Sequence, residues 1–264
     1  MIGIGIVIHN DILEHSQTDI PDTYNMLCDL ISSICLFTES EYILIIRDNY
    51  SLDFRFQAFN ITLRKKFNHI LSVFIQSTVN DLTHAWNEIF HIALNQYNCG
   101  AVIMLNQDII VTKDWQNFMD AVLVQERDML APMSNGACYQ LLQEVNEKDY
   151  KSEDILIQVP IVQGFCYGLS QSALRNNMYD DDHYFDPEIQ WDFNEEEWQQ
   201  RNNKSGGRSL ILKNAFIVHL DNSTWAKSGL RSTKKLDSTY TDKERHTILD
   251  TIDYNKYLLS VGGI

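Results

Sequence analysis

The sequence predicts an α/β fold: a Rossmann-like, mainly parallel (mixed) sheet flanked by helices, a single domain with a decorated C-terminal part. Three observations carry this. Apolar runs of strand length recur at 2–8, 42–47, 69–75 and 101–105. Segments with helical spacing of apolar residues follow the first, third and fourth of them. Three of the runs stop at polar residues, His9-Asn10, Asp48-Asn49 and Asn106-Gln107-Asp108, as buried parallel strands do at the edge of a sheet.

The first run, "IGIGIVI" at 2–8, alternates small and β-branched residues and reads as a buried strand. A helix follows at 21–36, where Pro21 suits the first turn and Leu27, Leu30, Ile31 and Ile34 share a face. The second strand, "YILIIR" at 42–47, is closed by the turn-prone "DNYS". "HILSVFI" at 69–75 is the third strand. Residues 81–97 form a helix with Leu82, Ala85, Trp86, Ile89, Ile92 and Ala93 on one face. A fourth strand at 101–105 leads to a helix at 114–125 and a short strand at 128–132. Beyond 133 the rhythm fades. "VPIVQGFCYGLS" (159–170) reads as strand and turn around two glycines, 179–197 is acidic and aromatic, and "SLILKNAFIVHL" (209–220) holds one or two strands. The polar C-terminal stretch has helical patterning only near 243–259, and no internal repeat is visible.

Composition narrows the function. With 264 residues and 44% hydrophobic content, the chain can fill a sizeable core. No run approaches the roughly 20 consecutive apolar residues of a membrane span. "MIGIGIVIHN" lacks a basic flank and a small-residue cleavage site, so it reads as the first strand of a mature chain. The cysteines, Cys28, Cys35, Cys99, Cys138 and Cys166, show no CxxC spacing; they argue against a disulfide framework or zinc site and fit a reducing cytoplasm. A formal charge of -15 opposes a large nucleic-acid footprint or an anionic membrane surface. Arg64-Lys65-Lys66 and Lys234-Lys235 are short runs that read as solvated surface. A phosphorylated ligand would therefore need a cation to hold it.

Ligands of open α/β sheets bind beyond the carboxyl ends of the strands, where the polar tips converge. Asp108, with Asn106 two residues before it, can offer oxygens to a hard divalent cation such as Mg²⁺ or Mn²⁺, or simply close an Asx-type turn. His219 in "FIVHLDNST" ends another strand; its imidazole suits Mn²⁺, and a hydrogen-bonded structural role is the plainer alternative. In "DFNEEEWQQR", Glu197 and Arg201 form an i,i+4 pair while Glu195 and Glu196 point elsewhere. One of those two could be a general base, and all three also suit a solvated helix start. Phe165, Tyr167, Tyr184, Phe185 and Trp191 could stack on sugar rings or pack in the core.

In order, these motifs resemble those of GT-A fold glycosyltransferases, in particular the large family-2-like group of bacterial and viral nucleotide-sugar transferases. "IVIHN" is similar to the family's first strand tip, "IIRDNYS" to the segment that holds the nucleobase, and "VNDLTHAWNEIF" to an Asn-rich segment that follows. "MLNQD" resembles the metal-binding DxD element, with Asn106 where a fuller version has Asp. "VQGFCYGLSQSAL" looks like the strand near donor sugar and acceptor, "NEEEWQQR" like the acidic element carrying the base, and "VHLDNST" like the segment with the late His. The likeness covers roughly 2–225.

The resemblance implies a GT-A domain at 1–225, with a nucleotide-binding half at 1–130 and an acceptor and catalytic half at 131–225, then an extension at 226–264. It implies a metal-dependent glycosyltransferase that moves a sugar from a nucleotide-sugar donor, by default a UDP-sugar, to a hydroxyl acceptor. His9, Asn10, Asp48, Asn80, Asn87, Asn106, Gln107 and Gly164 would line the donor site. Asp108 and His219 would hold Mn²⁺ or Mg²⁺, and Glu195 or Glu196 would act as base if the reaction inverts; retaining transferases share the fold and much of the motif order, so both courses stay open. A glycan, lipid-linked sugar or protein side chain fits as acceptor better than nucleic acid. Two rivals come from other classes. A nucleotidyltransferase needs a Gly-rich, basic loop after strand one, and "HNDILEHSQTD" has no Gly, Lys or Arg. A non-catalytic nucleotide- or sugar-binding protein on the same fold is the other.

Overall fold

In the computed structural model, residues 1–9, 23–135, 142–190 and 194–220 are described. Asn10, Pro21, Cys138, Trp191, the Lys234-Lys235 pair, the patterning near 243–259 and the whole of the expected 226–264 extension lie outside them. The first half runs β1 (Ile2–Ile8), α1 (Thr23–Phe37), β2 (Tyr42–Asp48), α2 (Phe54–Gln57), α3 (Phe59–Lys66), β3 (Ser72–Gln76), α4 (Leu82–His91) and β4 (Ala101–Asn106). Next come β5 (Ile109–Val111), α5 (Trp115–Val124), β6 (Met129–Ser134), β7 (Leu156–Val159), β8 (Cys166–Ser170), α6 (Gln171–Asn176), α7 (Asn194–Lys204) and β9 (Ser209–His219).

One mixed sheet takes the nine strands of the described residues, in the order β3-β2-β1-β4-β8-β6-β9-β5, with β7 alongside β9. The block β3-β2-β1-β4 is parallel; β8 then pairs antiparallel with both β4 and β6, and β9 lies parallel to β6. The 130/131 boundary expected between two halves falls inside β6, so the sheet is continuous across it.

The alternation in β1 explains its packing. Ile2, Ile4, Ile6 and Ile8 are fully buried in a core shared with Leu27, Leu30, Ile31 and Ile34 of α1. The opposite face belongs to α4, and there β1 has Gly3 and Gly5. A Cβ at Gly5 would lie 2.6 Å from the Ile89 and Met104 side chains, so the helix can approach only because the residue has none. Each buried isoleucine contributes about 1.5–3 kcal/mol by leaving water.

Several elements differ from the sequence expectation. The segment read only as a turn after β2 contains α2 and α3; Asp53 caps α2 by accepting from Arg55 N at 2.8 Å, and Phe56, Phe59 and Leu63 are buried. Two such short helices fall below the window in which periodicity is visible. The third strand begins later, at Ser72. The 81–97 helix turns π-helical at Ile92–Gln96. Of the one or two strands expected at 209–220 there is one, β9, which pairs with β6 at Ser209–Leu212 and again at Phe216 and Ile217. Its register shifts between Pro132 and Met133 of that partner, from Leu212 to Phe216, where proline offers no amide to the ladder. On its other side β9 pairs first with β7 and, past the shift, with β5.

Among the described residues, Cys28, Cys35, Cys99 and Cys166 are free thiols, and no helix is long and apolar enough to cross a membrane. Arg64, Lys65 and Lys66 are exposed at the end of α3, where cations suit the helix dipole.

Candidate functional site

Parallel register brings the tips level. Ile8 of β1 faces Asp48 of β2, and Val7 faces Asn106 of β4. Short bonds tie the tips together. The Gln107 side chain accepts from His9 N and donates to His9 O, each at 3.2 Å. Asn49 N donates to Ile8 O at 2.8 Å, and His9 Nδ1 lies 2.8 Å from Asn49 O. A carbonyl only accepts, so His9 Nδ1 carries the hydrogen, and in the neutral ring Nε2 is the acceptor side.

Asp48 is buried and accepts from Ser51 N at 3.0 Å. Burial pushes its carboxyl pKa above the usual range; the Ser51 bonds and the charges of His9 and Arg47 offset part of the rise. On the other face, Arg47 is fully buried, bonded to Glu88 Oε2 at 2.7 Å, Asn49 Oδ1 at 2.6 Å and Ser77 Oγ at 2.9 Å. A buried guanidinium requires such pairing. Asn49 also accepts from Asp81 N at 3.0 Å and donates to Asn80 at 3.1 Å, which fixes the β3–α4 loop against the tips of β1 and β2.

Past the β4 tip the chain reverses into β5. Asp108 O accepts from Leu220 N at 2.9 Å, and Ile109 pairs with His219. This sets the Asp108 carboxylate beside the imidazole: Oδ1 and His219 Nε2 are 3.4 Å apart, both side chains nearly buried. Asn135 accepts from His219 N at 2.9 Å, and the Phe165 ring stacks on the imidazole at 4.5 Å between centroids. Among the described residues no group of three or more His, Cys, Asp or Glu is placed to hold a metal; Asp108 and His219 approach each other as a pair. A carboxylate oxygen and an imidazole nitrogen so close together fit Mn²⁺ or Mg²⁺, ions that complete their shells with phosphate oxygens and water.

Phe165 leads to the acidic helix. Its carbonyl accepts from Asn106 N at 2.9 Å, and the residue before it is Gly164. A Cβ on Gly164 would lie 2.2 Å from Glu195 Oε1, so the glycine provides the space in which that carboxylate sits. Glu195 is half-buried, whereas Glu196 is buried and Glu197 pairs with Arg201 at 2.9 Å as the i,i+4 spacing predicts. Burial, and then the negative charge of Glu195, hold the Tyr167 phenol well above its usual pKa.

Besides Trp198, and Arg201, which donates to Asn177 O and Tyr184 O, α7 docks through amides. Asn194 donates to Thr83 at 3.1 Å, Gln199 bonds both Val162 N at 2.7 Å and Val162 O at 3.0 Å, and Asn202 donates to Arg127 O at 2.8 Å. Gln143 holds the same loop from the far side by accepting from Gln163 N at 3.1 Å.

His9, Asp48, Asn106 and Gln107 therefore meet at one edge of the sheet, with Asn80 reached through Asn49. Asp108, His219, Gly164 and Glu195 are joined to that edge through Phe165. Gln107 and Asn87 have their amides committed inside the protein: Asn87 accepts from Tyr184 N and Phe185 N at 2.9 Å and donates to Phe185 O at 3.0 Å. Phe165, Tyr167, Tyr184 and Phe185 are core residues, at most 5% exposed, and so offer little ring face to a sugar. Asn49 was singled out only as part of a strand tip, and Arg47, Asn135 and Gln199 were not singled out in the sequence. Only Arg47 left a signal, as a charge within the apolar run "YILIIR".

No protein-family model matches the chain, and no curated protein matches it in sequence. Solved structures match it in shape. GalNAc-T7 with UDP, GalNAc and Mn²⁺ superposes with a TM-score of 0.62 at 13% identity, over 83% of this chain and 43% of that one. The mannosyltransferase PcManGT from Pyrobaculum calidifontis, in complex with GDP-Man and Mn²⁺, gives 0.60 at 11%, over 83% and 56%. S. aureus TarS 1-349 gives 0.54 at 16%, over 83% and 60%. The chain thus spans about half the length of the proteins it matches. Their common architecture is a curled mixed sheet between helices, and this chain has the GT-A fold of glycosyltransferases.

Proposed function

We propose that the protein is a metal-dependent glycosyltransferase that moves a sugar from a nucleotide-sugar donor, by default a UDP-sugar, to a hydroxyl acceptor with inversion. The observation that carries the reading is the linked series Asp108, His219, Phe165, Gly164 and Glu195. It brings the Asp108–His219 pair and a half-buried carboxylate to the same sheet edge, which supports reading the pair as the cation site. The nucleotide-sugar and Mn²⁺ complexes among proteins of the same fold support it.

In this reading Asp48 accepts a hydrogen bond from the nucleobase, and His9 borders the same pocket. Asp108 and His219 would hold a divalent ion, which would supply positive charge and Lewis acidity to the diphosphate. Glu195 is the base, since Glu196 is turned inward: its carboxylate takes the acceptor hydroxyl proton as the oxygen attacks the anomeric carbon opposite the leaving group. Glycan, lipid-linked sugar and protein hydroxyls are the acceptor classes.

Titration calorimetry with UDP and GDP, with and without Mn²⁺, tests the donor half. Binding is expected to require Mn²⁺ and to be lost in Asp108→Ala; no nucleotide binding in either condition defeats the reading. Once transfer is detected, Glu195→Gln and Gly164→Ala, which fills the seat of the carboxylate, are expected to lower turnover by about 10²-fold or more while keeping donor affinity. A second reading, a non-catalytic nucleotide-sugar-binding protein, is favoured by one observation: the cation site among the described residues is a pair and not a cluster of three. It predicts binding with neither transfer nor donor hydrolysis.

A further inference from the structure

Backbone strain and exposure coincide at Tyr50, beside the candidate donor pocket. Among the described residues two non-glycine residues have a positive φ, Asn98 at 50° and Tyr50 at 64°. Asparagine tolerates the left-handed region through local hydrogen bonding; a bulky aromatic residue there is an outlier. Tyr50 is also 48% exposed, so core packing of its ring does little to compensate.

Hydrogen bonds on both sides hold it there. On one side Asn49 is buried, its N–H on Ile8 O at 2.8 Å and its side chain fixed by Arg47 at 2.6 Å and Asp81 N at 3.0 Å. On the other, Ser51 N donates to Asp48 Oδ1 at 3.0 Å and Ser51 O accepts from Gln57 Nε2 at 2.8 Å. Strain persists only where the surroundings over-determine it, and such residues cluster at ligand sites. This one lies two residues beyond Asp48, on the edge where the strand tips meet.

We propose that Tyr50 is a base-stacking residue, whose left-handed turn offers a half-exposed ring to the flat face of the nucleobase that Asp48 contacts at its edge. The inference rests on the nucleotide-sugar reading above. Every base has a π face, so stacking adds affinity without choosing among bases; the choice is left to the acceptor oxygens of Asp48.

Titrations of UDP, GDP and inorganic pyrophosphate, each with Mn²⁺, on wild type, Tyr50→Gly and Tyr50→Phe test this. Tyr50→Gly is expected to weaken the preferred nucleotide by at least about fivefold, leave pyrophosphate unchanged, and melt at or above wild type because glycine relieves the strain. Tyr50→Phe keeps wild-type affinity. Equal nucleotide affinity in Tyr50→Gly and wild type overturns the proposal while the nucleotide reading stands. A parallel loss of nucleotide and pyrophosphate binding with a lower Tm also overturns it, making Tyr50 structural. Absence of nucleotide binding by wild type overturns the underlying reading and the proposal with it.

Discussion

Asp48 sets recognition against stability within a single side chain. Burial raises its carboxyl pKa in the folded protein above the unfolded value. A group shifted this way favours the folded state fully at pH below its unfolded pKa, and that contribution is lost as pH rises through the folded pKa. At neutral pH the ionised carboxylate therefore costs stability. Asp48→Asn is expected to melt higher than wild type at pH 7, with the difference closing as the pH is lowered through the folded pKa, and to bind nucleoside diphosphate more weakly. Melting curves across pH, beside the titrations, check both; a variant that melts lower at pH 7 would contradict the sign. At this scale, the positions of Asp48, Asp108 and His219 at strand ends were legible in the sequence because each is a polar residue closing an apolar run. Arg47 and Asn135 gained their roles from partners far along the chain, Glu88 at a separation of 41 residues and His219 at 84. No local pattern encodes such a partner.

Among elements, the parallel block was readable because β1, β2 and β4 are buried on both faces and so read as near-continuous apolar runs. The rest was harder for physical reasons. β5 has three residues, and β7 is largely exposed, so neither carries a hydrophobic period. The acidic segment suits a solvated helix start in sequence; the helix α7 begins there, but its docking was invisible, since its buried face is mostly amide and carboxylate. Gln199 is the clearest case, holding both polar groups of Val162. Gln199→Ala leaves that buried amide and carbonyl without their partner, at a cost of about 1–3 kcal/mol. The expected loss in Tm is about 2–10 °C by calorimetry, and an unchanged Tm would mean that the helix is held by other contacts.

Over the whole molecule, the formal charge of -15 opposes approach of an anionic donor at long range. Raising ionic strength from about 0.01 to 0.15 M shortens the Debye length from about 30 to 8 Å and screens that repulsion. Association of a nucleoside diphosphate in saturating Mn²⁺ is therefore expected to speed up with salt, measurable by stopped-flow mixing; a slower rate would reveal a locally positive approach path. The order of motifs along the chain was enough to name the fold class, because each tip motif is fixed to the end of a strand and the sheet fixes the strands. How the second half closes the sheet depended on the antiparallel pairing of β8 with β4 and β6, a long-range choice that the sequence leaves open.

The amide docking of α7 also settles which of two adjacent glutamates reaches Gly164. A helix seated on a greasy face can slide or roll by one residue at modest cost, and one residue turns a helix by about 100°. In an NEEE sequence that roll would bring a neighbouring glutamate to the seat with little change in composition or charge. Directional bonds from Asn194, Gln199 and Asn202 to Thr83 of α4 and to the backbone of Val162 and Arg127 cannot all re-form after such a roll. Together with buried Trp198 and the Arg201 bonds to Asn177 O and Tyr184 O, they act as a key that admits one rotational setting, so the identity of the facing carboxylate is decided by other side chains of its own helix.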